Sequence, residues 1–237
     1  MHLLKEFSLN DKCSYLDNLE QTTHYQIIDN CDSAHCQDLI ERGYRRFGKM
    51  YFRPICSGCN ECQSIKIDVN NFTFSKSARR VIKKATSIKS YIQIPTISQA
   101  HLNLFEKYHK YMSKSKGWEY QKTSAQNYHN SFVNGHNGFG HEILYFDGDR
   151  LIGVDLIDIL EDGLSSIYFY YDPDYMHLSL GRLSLYFQIK FAKETNKNWI
   201  YLGYYVQDCP SLSYKAQYTP FKTLQGRPTI NEAFEWL

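Results

Sequence analysis

The sequence predicts a layered α/β fold, and two patterns carry that reading. Residues 142–218 run strand, strand, helix, strand, helix, an order that belongs to sheets covered by helices. The stretch before it has another character. Between Gly43 and Lys89 stand eleven Lys/Arg and two acids, around Cys56-x-x-Cys59-x-x-Cys62. We therefore expect a small, basic, cysteine-containing part over residues 1–93 and a sheet-based part over residues 94–237.

Local signals justify each element. Ser33–Arg42 reads as a short helix, with Ser33 as N-cap and Gly43 placed to end it in a left-handed conformation. Tyr44–Arg53 reads as extended or hairpin chain. Ile65, Ile67 and Val69 alternate with polar residues, the mark of a half-buried strand. A basic helix starts at Ser75 or Ser77 and carries Arg79, Arg80, Lys83 and Lys84. Leu102, Phe105, Tyr108 and Met112 are spaced as one helix face within 97–116, and a second helix covers 124–133. Residues 142–171 read as strands, with Asp147-Gly148 and Asp162-Gly163 as turn signals. Ser179-Leu180-Gly181 opens a largely apolar helix to about Lys193, followed by a strand over 198–206 and a short helix over 210–218.

Composition narrows the class. The chain has 237 residues, 43% hydrophobic and 22% charged, with a net charge of +2. That is ordinary for a folded protein with a sizeable core. No apolar run reaches the roughly 20 residues of a membrane span. The N-terminal residues lack the basic and apolar regions of a signal peptide, so a cytoplasmic location is expected. The charge is unevenly placed. Residues 43–89 carry a net +9, whereas residues 142–174 hold nine acids and one arginine. Such a split field suits a molecule that grips a polyanion with one region and does other work with another.

Four groups of residues point to chemistry. Cys56, Cys59 and Cys62 have a spacing that converges on zinc or an iron–sulfur cluster, with Cys13, Cys31 or Cys36 as a possible fourth ligand. The same residues also suit a reduced, cysteine-rich turn. Arg45, Arg46, Arg53, Arg79, Arg80, Lys83 and Lys84 form an anion-binding set in a region nearly without acids. The helix start at Ser179–Gly181 offers backbone N–H donors to an anion or an ester oxygen. Tyr168-Phe169-Tyr170-Tyr171 and Tyr201-Leu202-Gly203-Tyr204-Tyr205 are mostly core, with a minority free to line a pocket. No phosphate-binding glycine loop is present.

At these residues the chain resembles the arginyl/leucyl-tRNA–protein transferases. Gly43-Tyr44-Arg45-Arg46 and Tyr51-Phe52-Arg53-Pro54-Ile55-Cys56 resemble the N-terminal signature of that family, and Ser75-Lys76-Ser77-Ala78-Arg79-Arg80 follows at its spacing. Asp162–Tyr168, Tyr171-Asp172-Pro173-Asp174, Ser179-Leu180-Gly181, Tyr201–Tyr205 and Tyr214-Lys215-Ala216 resemble its central blocks. The matches span about Cys13 to Pro220, and their detail is most similar to the bacterial aspartate/glutamate leucyltransferases.

The resemblance implies a GNAT-like acyltransferase fold with a central mixed sheet in the C-terminal part. It implies transfer of leucine from leucyl-tRNA, or alternatively arginine from arginyl-tRNA, to the α-amine of proteins beginning with Asp or Glu, in N-end rule degradation. No cofactor is required for that chemistry. A metal at Cys56, Cys59, Cys62 and Cys13 is a separate expectation. On this reading Asp158, Tyr170 and Asp172 are candidates for the base or the amine-orienting group, and Ser179 and Gly181 supply oxyanion donors. Arg45, Arg46, Arg79, Arg80, Tyr204 and Lys215 are expected at the acceptor or the tRNA end, and Arg53, Lys83 and Lys84 at tRNA phosphates. An acetyl-CoA-dependent N-acetyltransferase and a non-enzymatic, RNA-binding zinc module are the competing readings. The first would want a glycine-rich pyrophosphate loop, and the second leaves the acidic, tyrosine-rich half without a purpose.

Overall fold

The computed structural model describes residues Met1–Leu237 in full. The chain opens with β1 (His2–Lys12), β2 (Glu20–Asp29), α1 (Ser33–Glu41), β3 (Arg45–Phe47), β4 (Met50–Pro54), β5 (Gln63–Asp68), α2 (Lys76–Lys84) and β6 (Lys89–Gln93). Next come α3 (Gln99–Lys116) and α4 (Ala125–Tyr128), the latter continued by a π-turn over His129–Val133. The strands β7 (Gly140–Asp147), β8 (Arg150–Ile159) and β9 (Gly163–Tyr171) follow. A 3₁₀ turn over Pro173–Leu178 leads into α5 (Leu180–Glu194), then β10 (Trp199–Tyr205), α6 (Pro210–Ser213) and β11 (Phe221–Thr223).

The helix starts follow their caps. Asp32, one residue before the expected Ser33, accepts a hydrogen bond from the His35 N–H at 2.8 Å and begins α1. Ser75, Ser98 and Ser124 do the same for α2, α3 and α4. Each satisfies an N–H that the helix cannot. Gly117 ends α3 at φ 70°, a conformation that costs glycine little.

Two sheets result. An antiparallel four-stranded sheet has the order β1-β2-β4-β3, and a seven-stranded mixed sheet has the order β11-β5-β10-β9-β8-β7-β6. Only β10 and β9 pair in parallel, joined through α5. Helices α2 and α5 cover one face around Ile65, Leu164, Ile189 and Ile200. Helices α3 and α4 cover the other around Leu104, Tyr108, Val154 and Tyr170. The sheet crosses the expected division at residues 93/94. Strands β5 and β6 both precede it, and β5 lies between β11 and β10 with Ile65, Ile67 and Ser64 all buried. A strand buried on both faces cannot leave its sheet, so the basic N-terminal part shares a core with the rest. No helix is long and apolar enough to cross a membrane.

One local feature shapes the site. Strands β9 and β10 pair only from Gly163–Trp199 to Ser165–Tyr201 and then part. The β10–β5 register also shifts between Tyr201 and Tyr204, at Gly203, whose φ is +72°. The strands therefore open into a wedge beyond Ser165 and Tyr201.

The two sheets are tied by a buried ion pair. Arg46, on β3, donates through Nε and Nη2 to the two oxygens of Asp158 on β8, at 3.0 and 2.5 Å, and through Nη1 to the Gly48 carbonyl at 2.6 Å. Both side chains are almost wholly enclosed. Removing one member strands the other charge without water, so we expect Asp158→Ala to lose about 3–5 kcal/mol of stability. Urea unfolding measures this, and a midpoint within 1 M of the parent's, at the usual slope of about 1–3 kcal/mol per M, would show that the pair does not hold the sheets together.

Candidate active site

The wedge between β9 and β10 opens into a cavity of about 750 Å³. Its floor comes from Ser166–Phe169 of β9 and Leu202 of β10, and one side from Ser179–Arg182, Ser184, Leu185 and Gln188 at the start of α5. Tyr108, Met112 and Trp118 close the opposite side from α3 and the loop after it, and Ser14 and Tyr15 reach in from the β1–β2 turn. Tyr214, Lys215 and Tyr218 complete the wall. Both sheets thus contribute to one hollow, mostly apolar with a few polar groups, the usual make-up of a ligand site.

Arg45 fills the wedge itself. Its Nη2 donates to the Ile167 carbonyl at 2.8 Å, a group that lost its strand partner when β10 turned away. Its guanidinium lies 5.8 Å from the Tyr204 ring centroid. The Lys215 Nζ donates to the Tyr204 carbonyl at 2.5 Å. Burial, and next the nearby charge of Arg45, push the Lys215 ammonium well below the usual lysine range. Arg182 completes the charged lining, with Nη2 donating to the Ser77 and Tyr186 hydroxyls at 2.8 and 2.9 Å. The lining holds three basic side chains and no carboxylate.

The structure brings some expected residues to this cavity and withholds others. Arg45, Ser179, Gly181 and Lys215 line it. Ser179 adopts the left-handed conformation, φ 55°, so that α5 starts beside the cavity with the N–H groups of Leu180 and Gly181 free of intrahelical partners. A Cβ at Gly181 would meet only Phe169, at 3.9 Å, so glycine is not demanded there by the protein itself. The three base candidates are sealed off. Asp158 is neutralised by Arg46. The Tyr170 hydroxyl is buried against that of Tyr128, 2.6 Å away. Asp172 caps the 3₁₀ turn at the Asp174 N–H and is clamped by Lys107 and Arg150, each at 2.5 Å. Burial opposes its ionisation, but the Lys107, Asp174 and Arg150 hydrogen bonds outweigh it and hold the carboxyl below the usual range. A carboxylate so held is a poor proton acceptor.

The basic residues also separate. Arg46 is enclosed with Asp158, so it is a structural cation and does not face a substrate. Arg53 is buried over the Tyr44 ring, with Nη1 donating to the Arg42 and Pro228 carbonyls, which removes it from any RNA surface. Tyr204 is buried, its hydroxyl donating to the Phe52 carbonyl at 3.0 Å, and it serves the cavity by holding Arg45 and Lys215. Arg79, Arg80, Lys83 and Lys84 stand exposed on α2, outside the cavity lining. Cys56, Cys59 and Cys62 lie between β4 and β5, near Cys13, and burial followed by the charges of Cys13, Cys56 and Cys59 pushes the Cys62 thiol up to about 12. Arg227 fastens this loop through the Cys56 and Cys59 carbonyls. No three His, Cys, Asp or Glu side chains converge to hold a metal ion.

Comparison with known proteins decides the family. Residues 11–80 match the family described as "Arginine-tRNA-protein transferase, N terminus", and residues 100–225 match "Arginine-tRNA-protein transferase, C terminus". The chain belongs to this transferase family. A protein of Campylobacter jejuni named aspartate/glutamate leucyltransferase is 46% identical over 225 residues, covering 95% of this chain and 94% of that one. A protein of the same name from Helicobacter hepaticus is 43% identical and covers 100% of this chain and 98% of its own. Among solved structures, FemX is similar at a TM-score of 0.44 and 9% identity, covering 77% of this chain and 63% of that one. L-PGS from Bacillus licheniformis is similar at a TM-score of 0.41 and 13% identity, covering 61% and 47%.

Within this transferase, residues that the sequence reading passed over line the cavity: Arg182, Ser184, Gln188, Ser166 and Tyr15. Only Arg182 carried a signal, as a cation in the first turn of a helix already marked. Gly203 links the fold to the site. A Cβ there would sit 2.6 Å from Arg45 Nε, on a backbone that L-residues resist. We expect Gly203→Ala to cost about 1–3 kcal/mol from the strained φ alone and to push Arg45 out of the wedge. A thermal melt together with the KM for the acceptor measures both. A variant with parental melting and KM would show that the wedge tolerates a side chain.

Proposed function

We propose that the chain transfers leucine from leucyl-tRNA to the α-amine of proteins that begin with Asp or Glu. This step commits such proteins to N-end rule degradation in the cytoplasm. One observation carries the reading: the cavity holds Arg45, Lys215 and Arg182 and no acid. An acidic acceptor side chain finds cations there, whereas a transferred arginine would bury its guanidinium without a partner. Leucine needs only apolar wall, which Tyr108, Met112, Trp118, Leu185 and Leu202 supply.

The aminoacyl ester arrives activated, so the protein's work is to place the amine against the carbonyl carbon. The acceptor amine attacks neutral, and its ordinary pKa near 8 makes that form available. The tetrahedral oxyanion is met by the free N–H groups at the start of α5. The tRNA lies along α2, where Arg79, Arg80, Lys83 and Lys84 are exposed. The Arg182–Ser77 hydrogen bond fastens α2 to α5, so phosphates held on α2 bring the 3′ end to the cavity mouth. The acetyl-CoA reading is disfavoured because Ser179–Gly181 offers two free N–H groups where a pyrophosphate wants a glycine-rich cradle.

Three outcomes test this. Purified protein given radiolabelled leucyl-tRNA or arginyl-tRNA is expected to load leucine, and not arginine, onto peptides beginning with Asp or Glu and to ignore those beginning with Ala. Arginine transfer in preference to leucine would overturn the choice of donor. Replacing Lys215 by Met is expected to raise the KM for the acidic peptide about 30-fold or more, as loss of a desolvated charge partner does, with the KM for leucyl-tRNA unchanged. Conversely, the combined Arg79→Ala, Arg80→Ala, Lys83→Ala and Lys84→Ala protein is expected to raise the KM for leucyl-tRNA and flatten its salt dependence. An equal rise in the peptide KM would place α2 at the acceptor after all.

Lys215 also makes acceptor binding proton-linked. Its ammonium is depressed in the empty cavity and restored when a carboxylate arrives. Binding of an Asp-starting peptide is therefore expected to take up a proton between the two pKa values, seen as a heat that changes with the buffer's ionisation enthalpy. The uptake disappears in Lys215→Met, and uptake that persists there would assign it to another group.

A further inference from the structure

Directly behind the cavity lies a carboxylate with no positive partner. Asp155 sits in β8, wholly buried. The Gln188 Nε2 donates to its Oδ2 at 2.7 Å, and its Oδ1 has no hydrogen bond at all. The nearby Ser184 hydroxyl, which also lowers the carboxyl's pKa, donates weakly to the Gly181 carbonyl at 3.4 Å and must turn from it to reach the carboxylate. Gln188 and Ser184 are themselves at most 3% exposed, yet both line the cavity. Asp155 is thus one side chain away from the space that the substrates occupy.

Its surroundings contain nothing to neutralise it. From β9 comes the Ser166 hydroxyl, 3.4 Å from Gln188 Nε2, and from β7 the buried Tyr145, whose own hydroxyl is unpartnered. Its cross-strand neighbours Ile143 and Phe169 are apolar. The other buried acids each hold a cation or an imidazole: Glu41 with Lys66, Glu142 with His101, Asp158 with Arg46, and Asp172 with Lys107 and Arg150. Packing gives no reason for a lone acid here, because burying an unpaired charge is costly. Burial pushes the Asp155 carboxyl up to about 7. That is the range in which a group both takes and returns a proton readily.

We propose that Asp155 receives the proton released when the acceptor amine attacks, that Ser184 passes it from the cavity, and that Gln188 holds the carboxylate in position. The inference rests on the transfer reaction proposed above. The amine nitrogen forms its bond to the ester carbonyl carbon, and the carbonyl π-pair moves to oxygen. The nitrogen gives a proton to Ser184 Oγ as the serine's own proton passes to Asp155. Collapse of the intermediate remakes the carbonyl and breaks the bond to the ribose oxygen, which takes the proton back by the same route. No proton is gained or lost overall, and no co-reactant is needed. Ser184 is the group that touches the reacting nitrogen, and Asp155 and Gln188 act through it.

Single-turnover transfer of leucine from leucyl-tRNA to an Asp-starting peptide, measured on the full chain from pH 5.5 to 9, tests this. The parent is expected to lose rate below about pH 7, in addition to the fall below about pH 8 that the peptide amine imposes on every variant. Asp155→Asn, which keeps the shape and the Gln188 contact, is expected to lose the limb near 7 and to fall about 100-fold or more in rate, with both KM values within twofold. Ser184→Ala is expected to do the same while melting at the parental temperature, and it decides the matter if Asp155→Asn does not fold. Parental transfer whose pH profile and rate survive both changes overturns the relay and leaves the transferase reading standing. A parental protein that transfers no leucine at any pH overturns both.

Discussion

The parting of β9 and β10 at Gly203 is the constraint on which the site depends. Parallel strands that stay paired leave no room between them, and a sheet face covered by helices leaves none above. Here pairing ends at Ser165 and Tyr201, and the freed Ile167 carbonyl is met by Arg45 from the other sheet. A buried backbone acceptor needs such a partner. The same arginine therefore repairs the sheet and brings charge to the cavity. Only glycine allows it, because any Cβ at residue 203 would occupy the guanidinium's place. The interlock explains why the basic N-terminal part shares a core with the larger sheet: Arg45 and Arg46 are neighbours on β3, one serving the site and one locking β3 to β8 through Asp158.

Charge inside the molecule is arranged by the same logic. Five carboxylates are buried: Glu41, Glu142, Asp155, Asp158 and Asp172. Four have a basic partner, and the lysine and arginine pairs among them are where fixed charge joins elements distant in sequence, as Lys66 of β5 joins Glu41 of α1. The cavity shows the reverse, with cations and no acids, so its field is completed only by a ligand. Its cations are also held by neutral groups, the Ile167 and Tyr204 carbonyls and the Ser77 and Tyr186 hydroxyls. These basic groups are therefore positioned with no acid to cancel their charge, which is what binding a carboxylate requires.

Much of this was legible in the sequence, and what was missed has physical causes. Helices announced themselves through caps and spacing, because a helix half in water must show both. Ser75, Ser98 and Ser124 each cap where a serine precedes an apolar stripe. Strands β1 and β2 gave no sign. Nearly every residue of β1 is exposed on both faces, so no alternation of apolar and polar residues marks it. Strand β11 is only three residues long and exists because β5 offers it an edge. Arg45, Lys215 and Ser179 were recognisable from their motifs. The acids were not, since Asp155 and Asp158 stand three residues apart in one apolar strand, and only the sheet's bulge between Leu156 and Ile157 and the reach of Arg46 distinguish their fates.

On the proposed function, the choice of leucine as cargo follows from what the cavity leaves out as much as from what it contains. A protein that recognises acidic acceptors must keep acids away from its binding space, or they would claim the cations first. That requirement also forbids the carboxylate that a transferred arginine needs for its guanidinium. One lining cannot be both uniformly cationic for the acceptor and anionic for the donor unless the two ends are well separated. Here Arg45 and Lys215 line the same 750 Å³ as Tyr108, Met112 and Trp118, with no acid among the lining residues. On that reading recognition of an acidic acceptor selects an apolar donor, and the two specificities are a single property of the cavity's charge.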